Sequence, residues 1–168
     1  MARLQLRSSV LEPRARSDGV EKRLLEAAEA GDAAAQCNLG ILYDNGLDDN
    51  GRHVDGGRLQ AVRWLLAAAE QGLPRAQVKL AEVYADAPEL LGGNAAACGW
   101  FLVAAPGLRG IHRHRARSRY KRIAAQLTPA EIAQATRFAR DWVPKRRQDD
   151  RAHLSPGQSD AGEKGDRQ

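Results

Sequence analysis

The chain repeats part of its own sequence at an interval of 41 residues. Residues 24–43 read LLEAAEAGDAAAQCNLGILY, and residues 65–84 read LLAAAEQGLPRAQVKLAEVY. Ten of the twenty aligned positions are identical. Self-similarity at a fixed period of this size predicts stacked supersecondary units, each of which buries its apolar face against its neighbours. This repeat constrains the fold more strongly than length or composition does.

The apolar residues within the repeat follow helical spacing. One type of helix has apolar residues at i, i+3, i+4, i+7 and i+8, which lie on one face. Its members are Ala61, Trp64, Leu65, Ala68 and Ala69, and then Ala97, Trp100, Phe101, Ala104 and Ala105. A second type has offsets of 0, 4, 7, 8 and 11. Its members are Ala35, Leu39, Leu42, Tyr43 and Gly46, and then Ala76, Leu80, Val83, Tyr84 and Ala87.

Glycine and proline mark the ends of these predicted helices. Gly31, Gly72 and Gly107 each follow the second helix of a hairpin, where a residue with positive φ is favoured. Pro74 suits the first turn of the next helix, because its missing N–H is not needed there. The turns therefore agree with the hairpins that the apolar spacing predicts.

These positions together resemble the Sel1-like repeats, a family related to the tetratricopeptide repeats. The key matching positions are Leu39, Gly40, Tyr43, Trp64, Gly72, Leu80, Tyr84 and Trp100. The resemblance covers about residues 20–142 and implies an all-α, right-handed α-solenoid of antiparallel helix hairpins. It also implies a non-catalytic adaptor or scaffold that binds another protein, with no cofactor and no small-molecule substrate.

The chain departs from the family pattern at several positions. Ala81 replaces the glycine after the leucine in the second unit, and the first unit has a loop five residues longer than the second. Gly57 and Gly93 replace the usual aspartate before the second helix, so we expect Asp55 and Asn94 to cap these helices. The departures affect loop geometry and leave the predicted fold unchanged.

A degenerate third unit is predicted in the basic segment, where residues 111–127 repeat the spacing of the second helix type. Thr128 and Glu131 form a capping-box sequence with Pro129 at the first helical position. This signal predicts a C-terminal capping helix over residues 128–142. We predict a disordered lead-in at 1–19, a repeat domain at 20–142 and a disordered charged tail at 143–168.

The net charge of +5 is concentrated in one segment. Residues 20–106 carry −5, whereas residues 107–127 carry seven bases and no acid. The predicted basic face consists of Arg113, Arg115, Arg117, Arg119, Lys121 and Arg122. Three interpretations stay open: a solvated surface, a docking site for an acidic protein or an intramolecular partner, and a nucleic-acid site. Docking by residues 111–122 is the alternative to the adaptor function.

No catalytic or metal-binding pattern stands out. His112 and His114 are two residues apart and point in different directions on a helix, so they are poor joint ligands. The loop with Asp44, Asp48, Asp49 and Asp55 lacks the glycine and glutamate of a calcium loop. Cys37 and Cys98 align with valines in the neighbouring units, which predicts packing rather than nucleophilic roles. Trp64 and Trp100 fall in the apolar stripe and are predicted core residues.

The sequence also bears on location. No run of about 18 apolar residues is present, so no membrane span is predicted. The Arg-rich start lacks the apolar stretch of a secretory signal; a transit peptide is the alternative to a disordered lead-in. Two cysteines in different units, without a disulfide or metal spacing, predict a reducing compartment. We therefore expect a cytoplasmic protein whose partner is another protein.

Overall fold

The structure is a computed structural model that describes residues 14–46, 57–87 and 92–145. All regular elements in these ranges are helical. The helices are α1 (Arg14–Glu29), α2 (Ala33–Asp44), α3 (Gly57–Glu70), α4 (Pro74–Asp86), α5 (Gly93–Ala104), α6 (Gly110–Ala124) and α7 (Pro129–Asp141), and a 3-10 turn, Ala105–Gly107, follows α5. The all-α prediction is confirmed.

Two tight helix pairs form the centre of the molecule, since α2 packs on α3 and α4 packs on α5. Between units, α1 contacts α2, α3 contacts α4, and α5 contacts α6, so consecutive helices form a continuous array. One apolar cluster extends through the array from Cys37 to Ala135, and a smaller one includes Ala28, Ala35 and Leu39. This arrangement confirms the predicted solenoid of helix hairpins.

Small side chains let the paired helices approach closely. Ala61, Ala68 and Ala69 of α3 are fully buried. On α2, a β-carbon at Gly40 would lie 2.6 Å from Cγ of Leu65 and 3.1 Å from its backbone nitrogen. Gly40 therefore allows a contact that any larger residue would obstruct.

The junctions α1–α2 and α3–α4 are built in the same way. Gly31 and Gly72 adopt φ values of 92° and 89°, as the sequence predicts. The N–H of Gly31 donates to the carbonyl of Ala28 at 3.1 Å, and that of Gly72 donates to the carbonyl of Ala69 at 2.9 Å. In both junctions the N–H of the next residue completes the second bond of a Schellman motif.

A buried glutamine completes each of these junctions. The side-chain amide of Gln36 donates to the carbonyl of Ala28 at 3.0 Å, and that of Gln77 donates to the carbonyl of Ala69 at 3.1 Å. Both glutamines are almost fully buried. Gln71 also donates to Oε1 of Gln36 at 2.8 Å. The amides thus join the end of one unit to the start of the next.

The prediction of a positive φ at Gly107 is wrong. Gly107 ends the 3-10 turn, and its missing side chain lets its backbone lie directly against the ring of Pro74. Gly110 adopts the left-handed conformation instead, with a φ of 50°. The extra residues after Gly107 move the chain reversal to the start of α6, so the third junction differs from the first two.

The third unit is less regular than the first two. The capping box at Thr128 is confirmed, with Glu131 Oε2 2.7 Å from the Thr128 nitrogen. However, α7 packs mainly on α5 instead of closing a tight pair with α6. Trp100 makes edge-on contacts with Phe138 and Trp142, with ring centres 5.2 and 6.1 Å apart. These aromatic contacts hold the terminal helix on the neighbouring unit.

Asn94 does not cap α5, contrary to expectation. The helix begins at Gly93 after Gly92, which has a φ of 80°, so Asn94 lies within the helix. Its side-chain amide instead lies 3.4 Å from the side-chain oxygen of Gln126. The left-handed glycine is itself the N-cap, so the helix starts two residues too early for Asn94 to cap it. Asp55, the expected cap of α3, lies outside the described residues.

The structure describes residues beyond the predicted limits of the repeat domain at both ends. α1 begins at Arg14, so residues 14–19 of the predicted lead-in are helical. Arginine, alanine, glutamate and leucine, which favour helices, are the commonest residues of α1 as a whole. At the other end, Lys145 forms an ion pair with Glu70, and Pro144 lies beside Gly72. Residues 1–13 and 146–168 lie outside the described ranges.

Gly40→Ala is expected to lower the free energy of unfolding by about 1–3 kcal/mol, because the new methyl group overlaps the buried Leu65. Gly99→Ala is the matched control. A β-carbon there would lie 2.8 Å from Phe138, whose ring is 41% exposed and has room to move. Urea unfolding monitored by circular dichroism measures both variants. If Gly40→Ala lowers the free energy of unfolding no more than Gly99→Ala does, the proposed close contact is contradicted.

Candidate interaction surface

A groove of about 530 Å³ lies between α2, α4 and the start of α6, and is called here the α2/α4/α6 groove. Its apolar floor consists of Ile41, Val78, Leu108 and Ala116. Its polar and charged lining consists of Arg75, Lys79, Glu82, Arg109, His112 and Arg115. The groove therefore combines an apolar base with a predominantly cationic border.

Two of the charges in the groove are neutralised within the protein. Lys79 Nζ lies 2.7 Å from Asp44 Oδ2, and this ion pair joins α4 to α2. Glu82 Oε1 lies 3.1 Å from the guanidinium of Arg119, which also contacts Asp86 at 3.2 Å. These pairs join α6 to α4. The walls of the groove are thus held in place by ion pairs between successive helices.

Three arginines in the groove have no carboxylate partner within the described residues. Arg75 donates to the side-chain oxygen of Asn38 at 3.3 Å, which leaves its charge uncompensated. Arg109 and Arg115 are exposed and form no ion pair with any carboxylate of the described part of the chain. After the internal pairs are discounted, the groove carries an excess of positive charge.

The repeat explains which cations are paired. Lys79 and Arg119 occupy equivalent positions, three residues after the buried alanine of their units, and each bonds to an acid on the preceding equivalent helix. Arg75 and Arg115 are also equivalent and directly precede that alanine. One position of the repeat therefore joins the helices, and the other presents an uncompensated arginine to the groove.

A second depression, called here the α5/α6 cleft, lies on the opposite flank of α6 and has a volume of about 440 Å³. Arg113, Arg117 and Lys121 line it and are exposed. None of the three forms an ion pair with the described residues. Its other lining residues are Phe101, Leu102, Ala105, Leu108, Ala116 and Tyr120.

The structure divides the predicted basic face into separate parts. Arg115 lies in the α2/α4/α6 groove, while Arg113, Arg117 and Lys121 lie in the α5/α6 cleft. Arg119 is engaged by Glu82 and Asp86, and Arg122 is exposed outside both depressions. The assignment of these residues to partner binding stays a prediction.

The sequence did not identify Arg75 and Arg109 as candidate binding residues. Arg75 lies well before the basic segment, and Arg109 lies within it but precedes the predicted face at residues 111–122. Arg75 belongs to the acidic part of the chain, and Arg109 precedes the helix that was predicted to carry the face. The equivalence of Arg75 and Arg115 in the repeat was the signal available for the first. The position of Arg109 depends on the irregular turn after α5, and no sequence signal indicated it.

The repeat positions identified from the sequence serve mainly in packing. Leu39 and Leu80 are fully buried, and Trp100 is 6% exposed within the core. Trp64 is half-buried, and the guanidinium carbon of Arg63 lies 5.4 Å from its ring centre. Tyr43 and Tyr84 are half-buried against the core, Gly40 lies in the α2–α3 contact and Gly72 in the α3–α4 junction.

The two cysteines are buried and form no disulfide. Burial raises the pKa of the Cys98 thiol from 9.0 to about 11. Burial also raises the pKa of Cys37, although the positive charges of Arg75 and Lys79 oppose this effect. Both thiols are therefore protonated at neutral pH and poorly suited to nucleophilic attack.

The described residues contain no group of three His, Cys, Asp or Glu side chains that could hold a metal ion. His112 lines the α2/α4/α6 groove, whereas His114 does not. Most of the acidic loop, including Asp48, Asp49 and Asp55, lies outside the described residues. No helix within residues 14–46, 57–87 and 92–145 is long and apolar enough to cross a membrane.

Comparison with known proteins shows similarity to a plant protein and to a solved bacterial structure. Over 55 residues the chain is 44% identical to an F-box protein of Arabidopsis thaliana, an alignment that covers 33% of this chain and 14% of the plant protein. The structure matches a protective antigen present in uropathogenic Escherichia coli strains that displays an SLR fold, with a TM-score of 0.65 and 23% identity. No protein-family profile matches the chain.

The structural match covers 94% of this chain and 32% of the bacterial antigen. It therefore includes the helix pairs and the irregular third unit together. The chain has the Sel1-like repeat fold, as the sequence resemblance implies. It spans about a third of the length of the bacterial protein and less of the plant protein, so the functions of those larger proteins do not transfer with the fold.

Both thiols are expected to react with an aromatic disulfide reagent at least about tenfold more slowly in the native protein than in denaturant. Rapid reaction of the native protein would contradict their packing role.

Because the folded pKa of Cys98 is raised, its contribution to stability is complete below pH 9.0 and is lost as the pH rises through about 11. The Cys98→Ala variant should therefore lose less stability than the unsubstituted chain as the pH rises over this range, as measured by unfolding of both proteins.

Proposed function

We propose that the protein is a non-catalytic adaptor or scaffold that binds another protein through the α2/α4/α6 groove. The observation that supports this proposal most directly is the apolar floor between three helices of equivalent position in the repeat. A partner that covers Ile41 and Val78 would remove partly exposed apolar surface from water. The flanking cations would orient that partner.

The ion pairs between the helices that form the walls support the same function. The groove lies on regular helices that are joined by the Lys79–Asp44 and Arg119–Glu82 pairs. A surface held in this way loses little conformational entropy when a partner binds. The Sel1-like repeat fold supplies such a surface by stacking similar units, which is how repeat proteins generally form extended binding sites.

The chemistry of the described residues supports a non-catalytic role. Cys37 and Cys98 are buried with raised pKa values, and no thiolate is available near either depression. The groove is lined by His112 but by no Ser, Thr, Cys or Tyr, and its one carboxylate is already engaged by Arg119, so no hydroxyl or thiol nucleophile lies beside a base there. Two free thiols also agree with the proposed cytoplasmic location, since a reducing compartment maintains them.

Affinity capture with the full chain tests the adaptor proposal. Val78→Gln removes apolar surface from the groove floor without adding charge, and is expected to weaken retention of a captured protein by about tenfold. Ile41→Gln provides a second floor variant if the first is poorly folded. Leu59→Gln is the matched control, because Leu59 is 65% exposed on α3 and outside the groove.

The captured protein should be retained by Leu59→Gln and lost with the floor variants, provided that circular dichroism shows native helicity for each. Retention of the same protein by folded Val78→Gln and Ile41→Gln would place the binding surface elsewhere. The absence of any specifically retained protein would count against the adaptor function itself.

The second candidate function is docking of the basic α6 helix on nucleic acid. It is supported by Arg113, Arg117 and Lys121, which are exposed together in the α5/α6 cleft without carboxylate partners. Tyr120 in the same cleft could contribute base contacts. The cations would bind phosphates by releasing counterions.

For this second function, binding of a fluorescent single-stranded oligonucleotide should weaken steeply between low and physiological salt. Arg113→Glu combined with Arg117→Glu should reduce the affinity further, by at least about tenfold, because two cations are replaced by anions. Fluorescence anisotropy measures both effects. Binding that is insensitive to salt and to these substitutions would exclude phosphate recognition by the α5/α6 cleft.

A further inference from the structure

We propose that the α2/α4/α6 groove takes an extended acidic segment of another protein, whose carboxylates contact Arg75, Arg109 and Arg115. Apolar side chains of the same segment would occupy the floor. This inference rests on the proposed adaptor function and specifies the chemistry of the partner. It follows from the pattern of paired and unpaired charges, the position of two helix starts and the apolar character of the base.

The charge of the groove selects an anionic partner. Lys79 is neutralised by Asp44, and Glu82 is neutralised by Arg119. The remaining charged groups of the lining are Arg75, Arg109 and Arg115, none of which has a carboxylate within the described residues. A carboxylate that approaches them forms charge-assisted hydrogen bonds without displacing an existing ion pair.

The close contact between Gly107 and Pro74 brings the starts of two helices together at this groove. Arg75 lies in the first turn of α4, and Arg109 directly precedes α6. Neither helix has a side-chain cap at its start, and neither has an acidic residue in its first turn. The two helix dipoles therefore add to the positive potential of the arginines.

The floor distinguishes a protein segment from nucleic acid. Ile41, Val78, Leu108 and Ala116 offer aliphatic surface, and no Phe, Tyr or Trp lines the groove. Single-stranded nucleic acids generally bind grooves where aromatic side chains stack on the bases. An acidic segment with interspersed apolar residues matches both the border and the floor, whereas a phosphate backbone matches the border alone.

The size of the groove indicates the length of the segment. Neighbouring helices lie ~8–10 Å apart, so a path across α2, α4 and α6 is roughly 20 Å long. An extended chain covers ~3.3 Å per residue, so about six residues fit this distance. Successive side chains of an extended segment point to opposite sides, which allows apolar residues to contact the floor while acidic residues reach the arginines.

Fluorescence anisotropy with a labelled peptide of about six alternating Glu and Leu residues tests this inference on the full chain. The peptide is expected to bind at least about tenfold more tightly than two matched peptides. In one of these Lys replaces Glu, and in the other Ser replaces Leu. Equal binding of the Glu–Ser peptide would overturn the role of the floor, and equal binding of the Lys–Leu peptide would overturn charge recognition.

Charge reversal locates the binding site. Arg75→Glu combined with Arg115→Glu is expected to weaken binding of the Glu–Leu peptide by at least about tenfold, because attraction becomes repulsion. Arg113→Glu combined with Arg117→Glu makes the same change in net charge on the opposite flank of α6 and should alter the affinity by less than about threefold. Circular dichroism confirms that both variants are folded.

Equal losses in the two double variants would overturn the inference, since they would indicate attraction to the net charge alone. Displacement of the peptide by a single-stranded oligonucleotide of equal charge at lower concentration would also overturn it, in favour of nucleic acid. The adaptor function and the acidic-segment inference can be tested independently of each other. If a captured protein is lost with Val78→Gln but retained by Arg75→Glu with Arg115→Glu, the adaptor stands and the acidic-segment inference does not.

Discussion

The buried glutamine amides at the two unit junctions are the interactions on which the array depends. Gln36 and Gln77 donate to carbonyls near the ends of α1 and α3, beside the left-handed glycines that reverse the chain. A buried amide without a partner would cost about 1–3 kcal/mol, so these bonds strongly favour one arrangement of each junction. In the third unit, Arg117 occupies the position of this glutamine. The third unit therefore lacks the amide bond, and α7 packs on α5.

This junction geometry determines the candidate interaction surface. Because successive units start in the same orientation, α2 and α4 lie in a row that α6 extends, and equivalent residues face the same groove. Lys79 and Arg119 join neighbouring helices, whereas Arg75 and Arg115 remain uncompensated. Within the same type of helix, one repeat position therefore carries the cation that joins neighbouring helices, and another carries the arginine that remains unpaired in the groove.

The sequence predicted the helices well because their apolar spacing and their end signals agree. Gly31, Gly72 and the Thr128 capping box all behave as their local chemistry indicates. The predictions for Gly107 and Asn94 were wrong. The third junction depends on a close contact between Gly107 and Pro74, and the start of α5 depends on the left-handed conformation of Gly92. Local sequence signals do not contain such contacts between distant residues.

The candidate site was less predictable than the fold. The density of basic residues predicted a binding face on α6. Which of these residues can bind a partner depends on the ion pairs within the fold, and the carboxylates that pair with Arg119 lie more than thirty residues away in the sequence. The central claim is that an acidic segment occupies the α2/α4/α6 groove. Methyl NMR of the full chain during titration with the Glu–Leu peptide tests it most directly. The largest shifts are expected at Ile41 and Val78, which line only this groove, with little change at Leu102, which lines only the α5/α6 cleft. The largest shifts at Leu102 would contradict binding of the acidic segment in the groove.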